Sequence, residues 1–333
     1  RMRVKKGIAL VMANAEYVLQ NKLFACKKDG EDVKETLEYL NFDVIFGMDL
    51  NRADMYDIIS RFIDEAKSYS TVLVYYSGHG VQIDGENYFV PIDCEYKSTK
   101  SIFKETQLVG INTITEFMTT NPSKTNIMIL DACRSSVDFA KGVVGNGLTE
   151  IEAGNGMLIA FATAPNKVAR ADSAEGGNSF YTKCLLLNII RPNIKIEDMF
   201  KEVRNDVIEM TQGEQIPWEN TSLNIDFYFN TMTDDEINEQ IYQCIRNNYS
   251  AETLLFLSKI LGKNISELMR IYTKQKSEKP GGIYFNKDED MEHFILEQAL
   301  EMGFKFKKYR WCFDDIPVQM GEFLHNPNVV VRE

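Results

Sequence analysis

No two cysteines in this 333-residue chain are spaced as CxxC, and the six it has are scattered: Cys26, Cys94, Cys133, Cys184, Cys244 and Cys312. That dispersal excludes a disulfide scaffold and a thiolate zinc site, which both need clustered thiols. Histidine is scarce as well. His79, His293 and His325 are too few and too far apart to suggest a ligand set. Basic charge falls short too, with 37 Lys and Arg against 49 Asp and Glu and a formal net charge of −12. A general nucleic-acid binder needs a basic face for phosphate, so no nucleic-acid partner is expected. No apolar run reaches the roughly 18 residues that span a bilayer, so no membrane partner is expected. The opening Arg-Met-Arg-Val-Lys-Lys looks like a signal n-region. However, Ala13-Asn14-Ala15-Glu16 cuts its apolar stretch short, which favours a strand over a signal peptide. Scattered, unpaired thiols fit a reduced, cytoplasmic protein.

Apolar residues make up 44% of the chain and charged residues 26%, ordinary values for a protein with a packed core. The length exceeds one ordinary domain, and the hydrophobic pattern changes near residue 230. Residues 1–230 alternate strand and helix signals, whereas 231–333 read as a mainly helical accessory module with no catalytic motif or repeat. The acidic balance favours a basic substrate or partner, because a negative field steers cations inward.

Within 1–230, Gly7 to Ala13 and Phe42 to Phe46 read as buried strands, with a helix from Asp29 to Leu40 between them. Asn51 caps a helix carrying Met55, Ile58, Ile59 and Phe62 on one face. Thr71 to Tyr76 is a third strand, and Val81 to Pro91 a hairpin turning at Asp84-Gly85. Asn126 to Leu130 and Met157 to Phe161 are further buried strands. Helices follow at 178–190 and 196–211, and a last strand runs from Asn224 to Phe229. Continuous apolar strands alternating with helices imply an α/β fold with a mostly parallel six-stranded sheet between helices. Beyond residue 231, helices are expected at 234–249, 251–261, 264–274 and 288–302. Residues 134–156 form a long glycine-rich loop, and such loops inside a domain are usually functional or disordered.

Two strand ends carry chemistry. The third strand finishes in Tyr76-Ser77-Gly78-His79-Gly80 and the fourth in Leu130-Asp131-Ala132-Cys133-Arg134. Ligands on parallel sheets bind beyond the carboxyl ends of the strands. A thiolate becomes a good nucleophile when a base supports it, and histidine can take and later return that proton. Gly80 can bring its backbone N–H close to a developing oxyanion. A lone cysteine is usually a small core residue, and a lone histidine between glycines a turn residue. Their joint placement at two core strand ends is the specific signal.

These two motifs resemble those of the caspase-like peptidases, and the histidine precedes the cysteine at that family's separation. The resemblance covers about 1–230. It implies a caspase-hemoglobinase fold, a His79–Cys133 dyad, an oxyanion site from the N–H groups of Gly80 and Cys133, and protein or peptide substrates. It is nearer the paracaspase and metacaspase branch than the true caspases, because Asp131 stands where caspases carry glutamine. Asp131, Asp29 and Ser77 are the P1-pocket residues by this resemblance, and two carboxylates favour arginine or lysine at P1. An aspartate such as Asp29 is otherwise an ordinary helix cap or first-turn charge. Two departures stand out: Val168 replaces a further acidic residue of paracaspases, and Asp-Ala-Cys-Arg-Ser-Ser replaces the metacaspase Asp-Ser-Cys-His-Ser-Gly. No cofactor is expected. Calcium activation, known among metacaspases, has only Asp172 and Glu175 as a fragment of a site. Lys141 is the obvious self-cleavage position in the 134–156 loop, as in a zymogen. Partner binding stays open as the rival function, with Thr221 to Phe229 as an edge for homodimer pairing.

Overall fold

The computed structural model describes residues 5–133, 148, 151, 153–164, 177–247 and 249–277, with Cys133 described through its main chain. The expected helix at 288–302 lies outside the described residues, as do Lys141, Val168, Asp172 and Glu175.

The chain runs β1 (Gly7–Ala13), α1 (Phe24–Tyr39), β2 (Phe42–Met48), α2 (Arg52–Ala66), β3 (Thr71–Ile83) and β4 (Glu86–Phe89). Next come α3 (Lys100–Gln107), β5 (Val109–Gly110), α4 (Asn112–Thr119), β6 (Thr125–Cys133) and β7 (Met157–Phe161). Helices α5 (Phe180–Ile189) and α6 (Ile196–Met210) precede β8 (Trp218–Thr221). The main sheet has the order β2-β1-β3-β6-β7-β8. It is parallel except for β8, which is antiparallel to β7. An antiparallel arm of β4 and β5 hangs from the far end of β3. This is the mostly parallel α/β sheet between helices that the apolar strands imply.

Strand alternation sends side chains to opposite faces. One face carries Ile8, Leu10, Met12, Val72, Val74, Tyr76, Met128 and Leu130, packed with Met55, Ile59 and Phe62 of α2 and Ile114 and Met118 of α4. Each such buried side chain contributes about 1.5–3 kcal/mol. Against the other face lies α1, whose buried residues include Cys26, Asp29, Val33 and Leu37. Asn51 caps α2 as expected, accepting from the Asp54 N–H. The β3–β4 hairpin turns at Asp84 and Gly85, whose φ values of 53° and 83° suit a tight hairpin turn.

Three expectations need correction. Strand β3 does not stop at Tyr76 but continues through the glycine-rich motif to Ile83. Gly78 keeps that run extended at close quarters: a Cβ there would lie 2.7 Å from the Tyr76 ring and 2.8 Å from the Tyr17 hydroxyl. Helix α1 starts at Phe24 rather than Asp29, so Asp29 is an interior helix residue and not its cap. The last strand is Trp218–Thr221, not Asn224–Phe229. Phe227 and Phe229 are buried without joining the sheet, which made their alternation look strand-like. The outer strand at that end of the sheet, among the described residues, is therefore β8. Helices α3 and α4 come from 100–119, where no element was expected.

Among the described residues two compact units form. One comprises residues up to Leu186 with Lys195–Phe227; the other comprises Leu187–Ile194 with the described residues from Tyr228 on. The second unit contains α7 (Asp234–Asn247), α8 (Ala251–Leu261) and α9 (Ile265–Ser277). Its core includes Ile241, Ile245, Leu254, Leu257, Leu268 and Met269. Thr233 and Glu236 form a reciprocal capping box before α7. Ser250 caps α8, and Gly262 ends it at φ 63°.

Candidate active site

Strands β3 and β6 are adjacent and parallel, and their register pairs Ser77 with Asp131 and His79 with Cys133. Neighbouring strands lie about 4.8 Å apart, so the main chains of His79 and Cys133 are immediate neighbours. Alternation puts Tyr75, Ser77 and His79 on one face of β3, opposite Tyr76.

His79 is buried and held from several sides. Its N–H donates to the Tyr17 hydroxyl at 2.7 Å, and its carbonyl accepts from the Tyr76 hydroxyl at 2.7 Å and the Val90 N–H at 3.1 Å. The two tyrosine hydroxyls lie 3.3 Å apart. The Tyr17 ring leans on the imidazole with centroids 4.4 Å apart. Nε2 lies 2.9 Å from the Asn21 carbonyl. A carbonyl only accepts, so Nε2 carries the proton and Nδ1 holds the lone pair in the neutral ring. Tyr17 and Asn21 both come from the β1–α1 loop, which is tied down by Leu23 N–H to the Ala15 carbonyl and by Ala15 and Glu16 N–H to Asp49. At Gly80 a Cβ would meet Leu148 Cδ2 at 2.9 Å and Ala132 Cβ at 3.0 Å.

One register step before His79 lies an acidic cluster. Asp29 is 0% and Asp131 1% exposed, and Ser77 is also fully buried. Ser77 Oγ donates to Asp29 Oδ2 at 3.3 Å, and the Ser179 N–H donates to Asp29 Oδ1 at 3.0 Å. Asp131 Oδ2 accepts from the hydroxyls of Ser179 and Thr182, the latter at 2.8 Å. Because Thr182 spends its proton on Asp131, the Tyr75 hydroxyl donates to Thr182 Oγ1, at 2.6 Å. Asp131 Oδ1 is buried with no hydrogen-bond partner among the described residues. Nearer the surface, Asp32 accepts from Lys28 at 2.6 Å and from Asn178 at 3.0 Å.

Burial, then the neighbouring charge of Asp131, holds the Asp29 carboxyl well above the usual carboxylate range. Burial also raises Asp131, but the Ser179 and Thr182 hydroxyls oppose the rise. Both carboxyls are thus held above their ordinary range, and at this separation they titrate as a pair. Asp32 is raised by burial, against the pull of Lys28 and Asn178.

The structure thus brings Asp29, Ser77 and Asp131 into one hydrogen-bonded cluster, with the main chains of His79, Gly80 and Cys133 a few residues along the same strands. Lys141 lies outside the described residues. Sequence reasoning missed Tyr17, Asn21, Asn178, Ser179 and Thr182. The Asn178-Ser179 pair before an apolar helix was a readable N-cap signal, but nothing in it announced contact with two aspartates. Among the described residues, no group of three or more His, Cys, Asp or Glu is placed to hold a metal ion. Among them also, no helix is long and apolar enough to cross a membrane.

A parallel sheet with a glycine-flanked histidine registered against a cysteine, inside a helix-covered α/β layer, defines the caspase-hemoglobinase class. The chain belongs to the caspase-domain family of cysteine peptidases, whose family model matches residues 6–228. It is similar to human (Homo sapiens) mucosa-associated lymphoid tissue lymphoma translocation protein 1, with 24% identity over 214 residues, covering 63% of this chain and 25% of that protein. The mouse (Mus musculus) homolog of that protein matches with the same identity and coverage. The chain therefore spans about a quarter of the length of these curated relatives.

Proposed function

We propose that the chain is a cysteine endopeptidase that cleaves peptide bonds after Arg or Lys through Cys133 and His79. The observation that carries this reading is the β3–β6 register, which sets His79 beside Cys133 and Ser77 beside Asp131. In the reaction His79 Nδ1 takes the Cys133 proton, and the thiolate attacks the scissile carbonyl carbon. The backbone N–H groups of Gly80 and Cys133 receive the developing oxyanion. The protonated His79 gives its proton to the leaving amine, which leaves an acyl-thioester on Cys133. His79 then takes a proton from water as it attacks, and the acid product departs with the thiol restored. The Asn21 carbonyl on Nε2 supports the ring in its charged state.

Specificity for a basic P1 side chain rests on Asp29, Asp131 and Ser77. A guanidinium or ammonium group supplies the donor that Asp131 Oδ1 lacks, and its positive charge favours the ionised form of the raised Asp29 carboxyl. Both carboxylates are buried, so entry of the cation requires the cover over them to open. The test is hydrolysis of peptides matched except at P1. Arg or Lys peptides should be cleaved and Asp peptides left intact, with no turnover in Cys133→Ala. Cleavage by Cys133→Ala, or preference for Asp, refutes the assignment.

A second reading, a scaffold that works by binding a partner, draws on the sheet edge at β8. There Ile216 and Trp218 are 48% and 42% exposed, and β8 pairs only with β7 among the described residues. A protein that dimerises through β8 yet cleaves no peptide would favour it.

A further inference from the structure

The hydroxyl of Ser179 joins helix α5 to the acidic cluster. Ser179 occupies the N-cap of α5: its Oγ accepts from the Thr182 N–H at 3.1 Å, and its carbonyl accepts from the Lys183 N–H at 2.9 Å. A hydroxyl has one proton, and with Oγ serving the cap as acceptor, that proton goes to Asp131 Oδ2. The N–H of the same residue serves Asp29 Oδ1. One residue thus donates to both carboxylates from the positive end of a helix. The result is lopsided. Oδ2 of Asp131 receives two hydroxyls, from Ser179 and Thr182, while Oδ1 receives nothing among the described residues. Burying an acceptor without a partner destabilises a fold, so the lopsidedness points to a ligand that brings a donor.

We propose that Ser179 is a specificity-determining residue of the basic P1 pocket: its hydroxyl occupies Oδ2 of Asp131 and so commits Oδ1 to the incoming guanidinium or ammonium. This rests on the reading of Asp29 and Asp131 as that pocket. Ser179 touches no reacting bond, so its effect falls on which side chain is accepted and not on how the peptide is cut.

The test compares peptides with arginine or citrulline at P1, which match in shape and differ in charge. Ser179→Gly keeps the N–H to Asp29 and suits an N-cap, so it removes the hydroxyl alone. It should lower the arginine-over-citrulline preference in kcat/KM about ten-fold, the scale of one charge-assisted hydrogen bond. The loss should fall on KM for the arginine peptide, with the citrulline rate within about twofold of wild type. Ser179→Thr, which restores a hydroxyl, should restore the preference. An unchanged preference in Ser179→Gly, or equal losses on both peptides, overturns the role of Ser179. If wild type itself shows no preference for arginine, the basic pocket falls and Ser179 with it. Should Ser179→Gly fail to fold, Thr182→Val removes the other hydroxyl on Oδ2 and must shift the preference in the same direction.

Discussion

The two faces of strands β3 and β6 are built on opposite principles. Toward α2 and α4, Val72, Val74, Tyr76, Met128 and Leu130 fill an apolar core. Toward α1 and α5, the same strands present Tyr75, Ser77, His79 and Asp131 to polar partners, and one carboxylate oxygen is left unserved among the described residues. The first face stabilises the sheet. The second carries two neighbouring carboxyl groups in a buried place, and the fold tolerates them because the other face holds the strands. Packing and the proposed chemistry are thus separated by a single residue step along each strand.

Adjacent substitutions on β6 sharpen that contrast. Leu130→Ala, on the packing face, should cost about 2–5 kcal/mol of stability, read from denaturant unfolding, without altering P1 preference in the folded fraction. Asp131→Asn, one residue on, should remove about 3 kcal/mol of transition-state stabilisation for arginine peptides, on the order of 100-fold in kcat/KM, with a much smaller change in unfolding. If the two variants exchanged these effects, the division between the faces would be wrong. Tyr17→Phe removes the acceptor of the His79 N–H while keeping the ring. It should lower kcat about ten-fold and leave KM for the peptide nearly unchanged, as expected of a residue that positions the base.

The smallest effect is on stability, and its sign is opposite to the usual one. Asp29 keeps its proton to higher pH in the folded chain than in the unfolded one. Between the ordinary carboxylate range and the raised folded value the folded state binds more protons, so stability is greatest at the acidic end and falls as pH rises. Asp29→Asn removes that dependence. It should stabilise the protein at neutral pH by about 1 kcal/mol, a rise of roughly 2–4 °C in Tm, while weakening cleavage after arginine. A lower Tm in Asp29→Asn would mean that the pair is not under electrostatic strain.

Much of this was legible in the chain, for identifiable reasons. The buried strands were readable because Val, Ile and Leu run without interruption, and the hairpin because Asp84-Gly85 accepts positive φ. The two motifs around His79 and Cys133 were readable as chemistry because reactive side chains follow such runs. The start of α1 was not, because Phe24 is 60% exposed and gives no buried-face signal. Strand β8 was missed because Trp218–Thr221 shows no buried alternation, whereas Ile225, Phe227 and Phe229 alternate without joining the sheet. Ser179 was hidden for a different reason. A serine before a helix is explained by capping alone, and only the fold reveals that the same hydroxyl also meets Asp131.

The most direct test uses a peptide acyloxymethyl ketone with arginine at P1, followed by mass mapping of the adduct. One adduct is expected, on Cys133, slowed at least 100-fold in His79→Ala, with no comparable labelling by the same probe with aspartate at P1. An adduct on any other cysteine, labelling indifferent to His79, or faster reaction of the aspartate probe would contradict it.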